Sequence, residues 1–123
     1  MKTTLVMLVL LALGFQLVGC RSILSGPPLE VEIFNFSSDP LEDAQASFGD
    51  AVCGWGYVAT RVSASHMSFS APITDDVVLT WRDSHGARRE KLSVRQVFQR
   101  GVRGRLSFRV FDNRVEVRFF PKP

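Results

Sequence analysis

The sequence predicts a small all-β domain, folded as an antiparallel β-sandwich behind a leader segment. The chain has 123 residues, of which 46% are hydrophobic and ten are Phe. This is enough for one core and too little for two full-sized domains. Apolar and polar residues alternate over several short segments, which is the pattern of strands with one buried face. Turn-forming residues separate these segments, and no stretch of ten or more residues keeps a helical period.

The first element is an N-terminal leader, residues 1–19. Lys2 supplies a positive charge, and the apolar run from Leu5 to Phe15 follows it, an order typical of a secretory signal peptide. The apolar stretch includes Gln16 and ends at Val18. It is therefore shorter than the ~20 residues that a membrane-spanning helix needs. We expect this leader to direct export and to be cleaved.

The leader ends in Leu17-Val18-Gly19-Cys20, a tetrapeptide that resembles the lipobox of bacterial lipoproteins. The resemblance covers only this segment. It implies cleavage after Gly19 and lipidation of Cys20, which would anchor the protein to a membrane through acyl chains without spanning it. The next residue is Arg21 rather than Asp. In the family's sorting rule this favours the periplasmic face of the outer membrane over the inner membrane.

After the leader, residues 20–28 form a lipidated Cys with a Gly-Pro-Pro-ended tether, and residues 29–123 form a single domain. A tether of eight residues reaches at most about 27 Å, so the domain would stay close to the membrane. With Cys20 lipidated, Cys53 is the remaining thiol and no disulfide within the chain is expected. Its apolar neighbours Val52 and Trp55 predict burial, and pairing between two chains is the alternative.

The domain opens with a predicted strand over Leu29 to Phe36, where apolar residues alternate with acidic ones. Turn chemistry at Ser37 to Pro40 follows, and a second strand runs from Leu41 to Phe48. Weaker strand signals lie at Trp55 to Val62 and at His66 to Ser70.

The next strand runs from Asp76 to Arg82, and Ser84 to Ala87 is predicted to form a four-residue loop. That loop length sets the register, because a slip of one residue would turn every apolar side chain to the wrong face. The apolar pairs would be Val77 with Val94 and Leu79 with Leu92. The segment from Val94 to Gln99 could form one helical turn.

The clearest feature is the last hairpin, for which we predict a two-residue turn at Asp112-Asn113 of the type that hairpins prefer. One face then pairs Val110 with Val115, Phe108 with Val117 and Leu106 with Phe119. The opposite face pairs Arg109 with Glu116 and Ser107 with Arg118. Such cross-strand pairs of like polarity or opposite charge stabilise a sheet by ~0.2–1 kcal/mol each.

The series of short strands resembles immunoglobulin-like and transthyretin-like β-sandwiches in its pattern alone. The Cys-Trp-Cys spacing of antibody domains is missing. The alternation predicts a core that contains Val77, Leu79, Trp81, Leu106, Phe108, Val110, Val115 and Val117.

Motifs for cofactors and metals are weak. Gly54 to Ala59 fits the G-x-G-x-x-A pattern, but the strand and helix that a dinucleotide site requires are not predicted around it, so we expect a turn or bulge. The candidate soft or imidazole ligands are Cys53, His66, Met67 and His85. No two of them have the spacing typical of metal ligands, and Met67 is expected in the core. We predict no metal and no cofactor.

Catalytic motifs are equally weak. Asp83-Ser84-His85 contains the three groups of a hydrolase triad, but adjacent residues in a turn do not form its hydrogen-bonded line. No G-x-S-x-G elbow accompanies them. We therefore predict that the protein is not an enzyme.

Charge is distributed unevenly along the chain. Residues 20–81 carry two Arg and eight acidic residues, whereas residues 82–123 carry twelve Lys or Arg and four acidic residues. The outer face of the last hairpin is predicted to carry Arg103, Arg105, Arg109, Phe111, Arg114, Arg118 and Phe120. Arginine mixed with aromatic rings is typical of binding surfaces for anions. The alternative is an edge hairpin whose charges prevent aggregation.

Together these features predict an outer-membrane-anchored periplasmic lipoprotein with a non-enzymatic interaction domain. Its partners would be the membrane, through Cys20, and an anionic envelope component or acidic protein. Lipid or lipopolysaccharide headgroups and peptidoglycan carboxylates are candidates, and no nucleic acid is expected in that compartment. Glu116 would be the only acid on the basic face. The alternative is an immunity or inhibitor lipoprotein directed against a toxin or wall-cleaving enzyme, and the oligomeric state is open.

Overall fold

A computed structural model describes residues 29–122, without the side chain of Ser68. The predicted signal peptide, Cys20 and the tether lie outside the described residues. The fold is an all-β sandwich, as predicted, and two four-stranded sheets face each other. The eight strands are β1 (Leu29–Asn35), β2 (Leu41–Phe48), β3 (Ala51–Val58), β4 (Ser63–Phe69), β5 (Asp76–Asp83), β6 (Gly86–Ser93), β7 (Gly104–Val110) and β8 (Val115–Pro121). Within the described residues, no helix is long and apolar enough to cross a membrane.

The strand order is β4-β1-β7-β8 in one sheet and β3-β2-β5-β6 in the other. All neighbours are antiparallel except β1 and β7, which run parallel from Leu29 opposite Gly104 to Asn35 opposite Val110. In immunoglobulin domains the first strand pairs with the second. Here β1 and β2 lie in different sheets, so the strand order is not that of immunoglobulin domains.

The core lies between the sheets and is built from alternate residues of each strand. Six of the predicted core residues have a relative exposure of at most 4%: Val77, Leu79, Trp81, Leu106, Phe108 and Val110. Val115 and Val117 are only partly buried, because β8 is an edge strand. Residues 94–102 close the gap between β6 and β8, where the rings of Phe98 and Phe119 pack edge to face at 5.3 Å.

Asn35 holds the end of the sandwich at which β1 finishes. Its side chain is 0% exposed, and its amide nitrogen donates to the carbonyls of Asp39 at 2.8 Å and Val58 at 3.1 Å. Its side-chain oxygen accepts hydrogen bonds from the Ser37 backbone N–H at 2.9 Å and hydroxyl at 2.6 Å. One amide therefore joins β1, the following loop and β3, so that these buried polar groups are satisfied.

The register of the last hairpin is confirmed at every predicted pair. The prediction of the turn type is wrong. The preferred hairpin turns require a positive φ, and neither Asp112 nor Asn113 has one. Instead the Asp112 carboxylate accepts hydrogen bonds from the Ser38 backbone N–H and hydroxyl, both at 2.8 Å. These bonds hold the pKa of the Asp112 carboxyl below its usual range. The turn is thus tied to the loop after β1.

The predicted register of β5 and β6 is wrong by two residues. Val77 lies opposite Leu92, and Leu79 lies opposite Glu90. The loop contains only Ser84 and His85, because Gly86 adopts a φ of 106° that other residues rarely reach. A shift of two residues keeps each side chain on its predicted face.

Both weaker strands begin earlier than predicted. β3 contains most of the Gly54–Ala59 motif, and its pairing with β2 shifts register where Gly56 adopts a φ of 74°, so the predicted bulge is confirmed. Cys53, also on β3, is buried as predicted, and burial raises the pKa of its thiol to about 11.

Met67 on β4 is 65% exposed, so the prediction that it is a core residue is wrong. The helical turn after Val94 is confirmed by a hydrogen bond from the Phe98 N–H to the Val94 carbonyl at 2.9 Å.

Candidate binding face

The outer surface of the β4-β1-β7-β8 sheet carries the predicted basic residues. We call it the arginine–aromatic face. It consists of Glu30, Glu32, Phe34, Phe36, Arg105, Ser107, Arg109, Phe111, Arg114, Glu116, Arg118 and Phe120. These residues alternate along β1, β7, β8 and their extensions with residues that enter the core. Burial of the apolar set therefore fixes the orientation of the polar set.

Three phenylalanine rings form a row across this face. The rings of Phe34 and Phe36 stack at 4.1 Å between centroids, and those of Phe36 and Phe111 stack at 5.1 Å. The rings of Phe34 and Phe36 follow the same alternation as Glu32, and they were not among the residues predicted for this face. The Phe36 side chain is 37% exposed, so the row presents flat apolar surface to solvent.

The arginines lie against these rings. The Arg109 guanidinium lies 5.7 Å from the Phe36 ring centroid and 5.4 Å from that of Phe120. Arg105 lies 5.0 Å from the Phe120 centroid, and Arg114 lies 4.2 Å from the Phe111 centroid. Within ~6 Å of a ring, a cation is attracted by the negative face of the π system. Ring contacts therefore hold all three guanidinium groups on the face.

Glu32 lies at the centre of the face and is buried, at 8% exposure. Its carboxylate accepts a hydrogen bond from the Ser107 hydroxyl at 2.8 Å and pairs with Arg105 at 3.6 Å. The expectation that Glu116 is the only acid on the face is therefore wrong. The parallel pairing of β1 with β7 places Glu32 directly opposite Ser107. Arg105 is thus a structural partner of a buried carboxylate.

Arg109 lies opposite Glu116 in the register, as predicted, but the two side chains do not form an ion pair. Glu116 instead pairs with Arg114 at 3.0 Å and Arg118 at 3.7 Å. Within residues 29–122, Arg109 pairs with no carboxylate, and its buried Nε atom has no hydrogen-bond partner. A half-buried cation without a counter-ion carries a desolvation cost that an anion would offset.

The seven predicted binding residues are only partly brought together. Ring contacts unite Arg105, Arg109, Phe111, Arg114 and Phe120. Arg118 joins them through its ion pair with Glu116. Arg103 precedes β7 and is exposed, and within the described part of the chain it makes none of the ion pairs or ring contacts of the face.

A polar pocket of about 240 Å³ lies at the end of the sandwich where β1 finishes, between the Asp112 turn and the β5–β6 turn. The Ser84 hydroxyl donates a hydrogen bond to the Asp39 carboxylate, and His85 Nε2 lies 4.0 Å from the same oxygen. Serine and histidine thus converge on one carboxylate, whereas a nucleophile must lie beside its base. The arrangement lacks the order of a hydrolase triad.

The four candidate metal ligands lie in different environments. Cys53 is in the core, His66 hydrogen-bonds the Gly54 carbonyl, Met67 is exposed, and His85 is in a turn. Within residues 29–122, no three His, Cys, Asp or Glu side chains are grouped to hold a metal ion.

Comparisons with known proteins identify neither a family nor a function for this chain. No family model and no curated protein sequence matches the chain. Among solved structures, the chain is similar to an NMR structure of a protein from Eubacterium rectale, with a TM-score of 0.49 and 12% sequence identity. That similarity covers 76% of this chain and 87% of the other, and it shows neither family nor function.

Proposed function

We propose that the protein is an outer-membrane-anchored periplasmic lipoprotein whose non-enzymatic β-sandwich binds a carboxylate-bearing envelope component or acidic protein. The binding surface is the arginine–aromatic face. The observation that carries the proposal is the Arg109 guanidinium, held between the Phe36 and Phe120 rings without a carboxylate partner in the described residues. A fixed guanidinium loses little entropy when it binds, because its geometry is already set by the surrounding rings.

Charge on the face favours a carboxylate over a phosphate. A guanidinium can donate two parallel hydrogen bonds to either group. Arg109 is the one described arginine of the ring cluster that has no acidic partner, and Glu32 and Glu116 contribute negative charge nearby. Those two carboxylates pair with Arg105, Arg114 and Arg118, so Arg109 is the arginine of the ring cluster that no acid within residues 29–122 partners. A carboxylate with one negative charge matches this one cation more closely than a phosphate monoester with nearly two.

The row of aromatic rings indicates which chemical groups the ligand would carry beside its carboxylate. Phe36 and its stacked neighbours place flat apolar surface directly beside Arg109. A ligand that carries an apolar group or a ring next to its carboxylate would cover that surface and desolvate the ion pair, which strengthens it. Peptidoglycan carboxylates and acidic side chains next to apolar residues of a protein both have this character.

We expect Arg109→Gln to weaken capture of the partner about 10- to 100-fold, the equivalent of the ~1.5–3 kcal/mol of hydrogen bonding to a charged group. Gln keeps much of the side-chain length and removes the charge. The full chain would be used to capture partners from detergent-solubilised envelopes, and to bind isolated peptidoglycan sacculi and vesicles of anionic phospholipid. Lipid phosphodiesters also carry one negative charge, so binding to the vesicles that equals binding to the sacculi would contradict the carboxylate preference.

Arg103→Gln is the matched control for this test, because it removes the same charge from outside the ring cluster. Equal losses of capture in the two variants would show that binding depends on the net charge of the domain and not on the Arg109 site. Undiminished capture by Arg109→Gln would refute the site. Arg105 is unsuitable for replacement, because its loss would leave the buried Glu32 carboxylate without its ion pair and destabilise the fold.

The lipid anchor is tested separately. Replacing Cys20 by Ala should abolish incorporation of labelled palmitate and leave an unprocessed precursor or a form that is not membrane-bound, because the acceptor thiol is gone. Cys53→Ala is the control and should keep the label, since the Cys53 thiol is buried in the core. Labelling that survives in Cys20→Ala would contradict the assignment as a lipoprotein.

A further inference from the structure

The edges of the two sheets differ sharply in charge. On one side of the sandwich, β6 carries four charged residues and β8 carries two and ends at Pro121. On the other side, β3 and β4 contain no Asp, Glu, Lys or Arg. Charge and proline are the usual means by which an edge strand is kept from pairing with another chain. The edges on the β3–β4 side lack both.

Exposed apolar side chains concentrate on this same side. Five large hydrophobic side chains are exposed within residues 29–122, and four lie on β3, on β4 or in the segment between them. These four are Val52, Tyr57, Val62 and Met67. A contiguous apolar edge on a water-exposed surface typically marks a site of association.

Of these two edge strands, β3 is less available for backbone pairing with another strand. Its pairing with β2 is irregular, and Gly56 adopts a φ of 74° there, which twists an edge away from a regular partner. The carbonyl of Gly54 also accepts a hydrogen bond from Nε2 of His66 on β4. The pairing of β4 with β1 also shifts register between His66 and Phe69, but it is regular from Ser63 to His66. Over those four residues β4 is the more open edge.

The backbone of β4 has groups free to pair. The Asn35 N–H donates to the Val62 carbonyl at 3.1 Å. Because alternate residues of an antiparallel strand bond to the same neighbour, the backbone groups of Ala64 and His66 face β1. The backbone N–H and C=O groups of Ser63 and Ser65 then point away from β1. Within residues 29–122, no strand lies on that side of β4 to bond with them.

We propose that β4 pairs antiparallel with β4 of a second copy of this chain, about a twofold axis at Ser65. The two four-stranded sheets would then become one sheet of eight. Ser65 would lie opposite Ser65 of the second copy, and Ala64 opposite His66 of the second copy. No like charges meet in this register, whereas the same pairing at β6 would crowd its arginines. Closed twofold dimers are also the commonest oligomers of soluble proteins.

The dimer does not depend on the proposed function, but it has a consequence for it. A twofold axis normal to the sheet leaves both arginine–aromatic faces on the same side. With strands ~4.8 Å apart, the two β7 strands would lie about 24 Å from each other. Two Arg109 sites on one surface would bind a polymer with many carboxylates by avidity.

Cysteine cross-linking in membranes that hold the full lipoprotein tests the pairing directly. In a Cys53→Ala background, Ser65→Cys should form a disulfide-linked dimer at least tenfold faster than Arg89→Cys, the matched control on the charged edge. Opposed residues of a hydrogen-bonded pair lie about 5.5 Å apart between Cα atoms, which suits a disulfide. Equal rates at the two positions would overturn the proposal.

A second measurement uses the mass of the full chain in detergent micelles. The parent should sediment as a dimer and Ser65→Lys as a monomer, because the change places two ammonium groups opposite each other. Ser65 is exposed, so the variant should keep the β-sheet circular dichroism of the parent. A monomeric parent, a dimeric Ser65→Lys variant, or cross-linking of Ser65→Cys to another envelope protein instead of to a second copy would each overturn the assignment.

Discussion

Phe108→Ala is expected to lower the free energy of unfolding by ~3–5 kcal/mol, the usual cost of removing a large aromatic side chain from a core. Phe108 is 0% exposed on the central strand β7, and its ring packs edge to face against those of Phe48 and Trp55, each at 6.2 Å. These rings come from the opposite sheet, so truncation opens a cavity between the two layers. A small domain has a total stability of ~5–15 kcal/mol, and this one change removes much of it.

The urea midpoint of the full chain measures this loss, because the midpoint falls in proportion to stability when the slope is unchanged. Phe36→Ala is the control. It deletes the same side chain from the solvent-exposed arginine–aromatic face and should cost less than half as much. If Phe108→Ala unfolds at the same urea concentration as the parent, the core assignment of β7 is wrong.

Asn35→Leu is expected to cost about 3 kcal/mol or more, because it preserves volume but removes four hydrogen bonds. The Val58 carbonyl and the Ser37 N–H would remain buried without the partner that Asn35 supplies. Each such unsatisfied group costs ~1–3 kcal/mol. The thermal midpoint should fall by roughly 12–24 °C, since ~1 kcal/mol corresponds to roughly 4–8 °C in a domain of this size.

Asn113→Leu is the comparison for this change, because Asn113 lies exposed in the last turn and its side-chain bond to Arg114 is open to solvent. It should shift the midpoint little. Matching midpoints for the parent and Asn35→Leu would show that the buried amide does not hold the end of the sandwich.

Local features of the sequence predicted local structure well. The β7–β8 hairpin follows from alternation and a two-residue turn, so both its register and the outward direction of Arg109 are predictable. The β5–β6 hairpin shows where such reasoning fails. Its register depends on the φ of Gly86, and the sequence alone does not distinguish that conformation from a longer loop.

The centre of the binding face was not predictable in the same way. Glu32 meets Ser107 because two strands distant in sequence run parallel, and alternation within each strand contains no information about which strands are neighbours. The outward position of Phe34 and Phe36 was predictable from the sequence, since both residues continue the alternate series that begins with Glu32. Exposure of Met67 follows from the edge position of β4, which depends on the same strand order.

The parallel pairing of β1 with β7 also sets the order in which the domain can assemble. β2, β3, β5 and β6 pair in antiparallel fashion within residues 41–93, so that sheet can form from the middle of the chain. β1 can pair with β4 once Phe69 has emerged, but its other neighbour, β7, begins only at Gly104, and contacts so distant in sequence are entropically costly and slow to form. In a chain that emerges N-terminus first, the β7-facing edge of the opening strand therefore stays unpaired, and accessible to chaperones, until the chain is nearly complete.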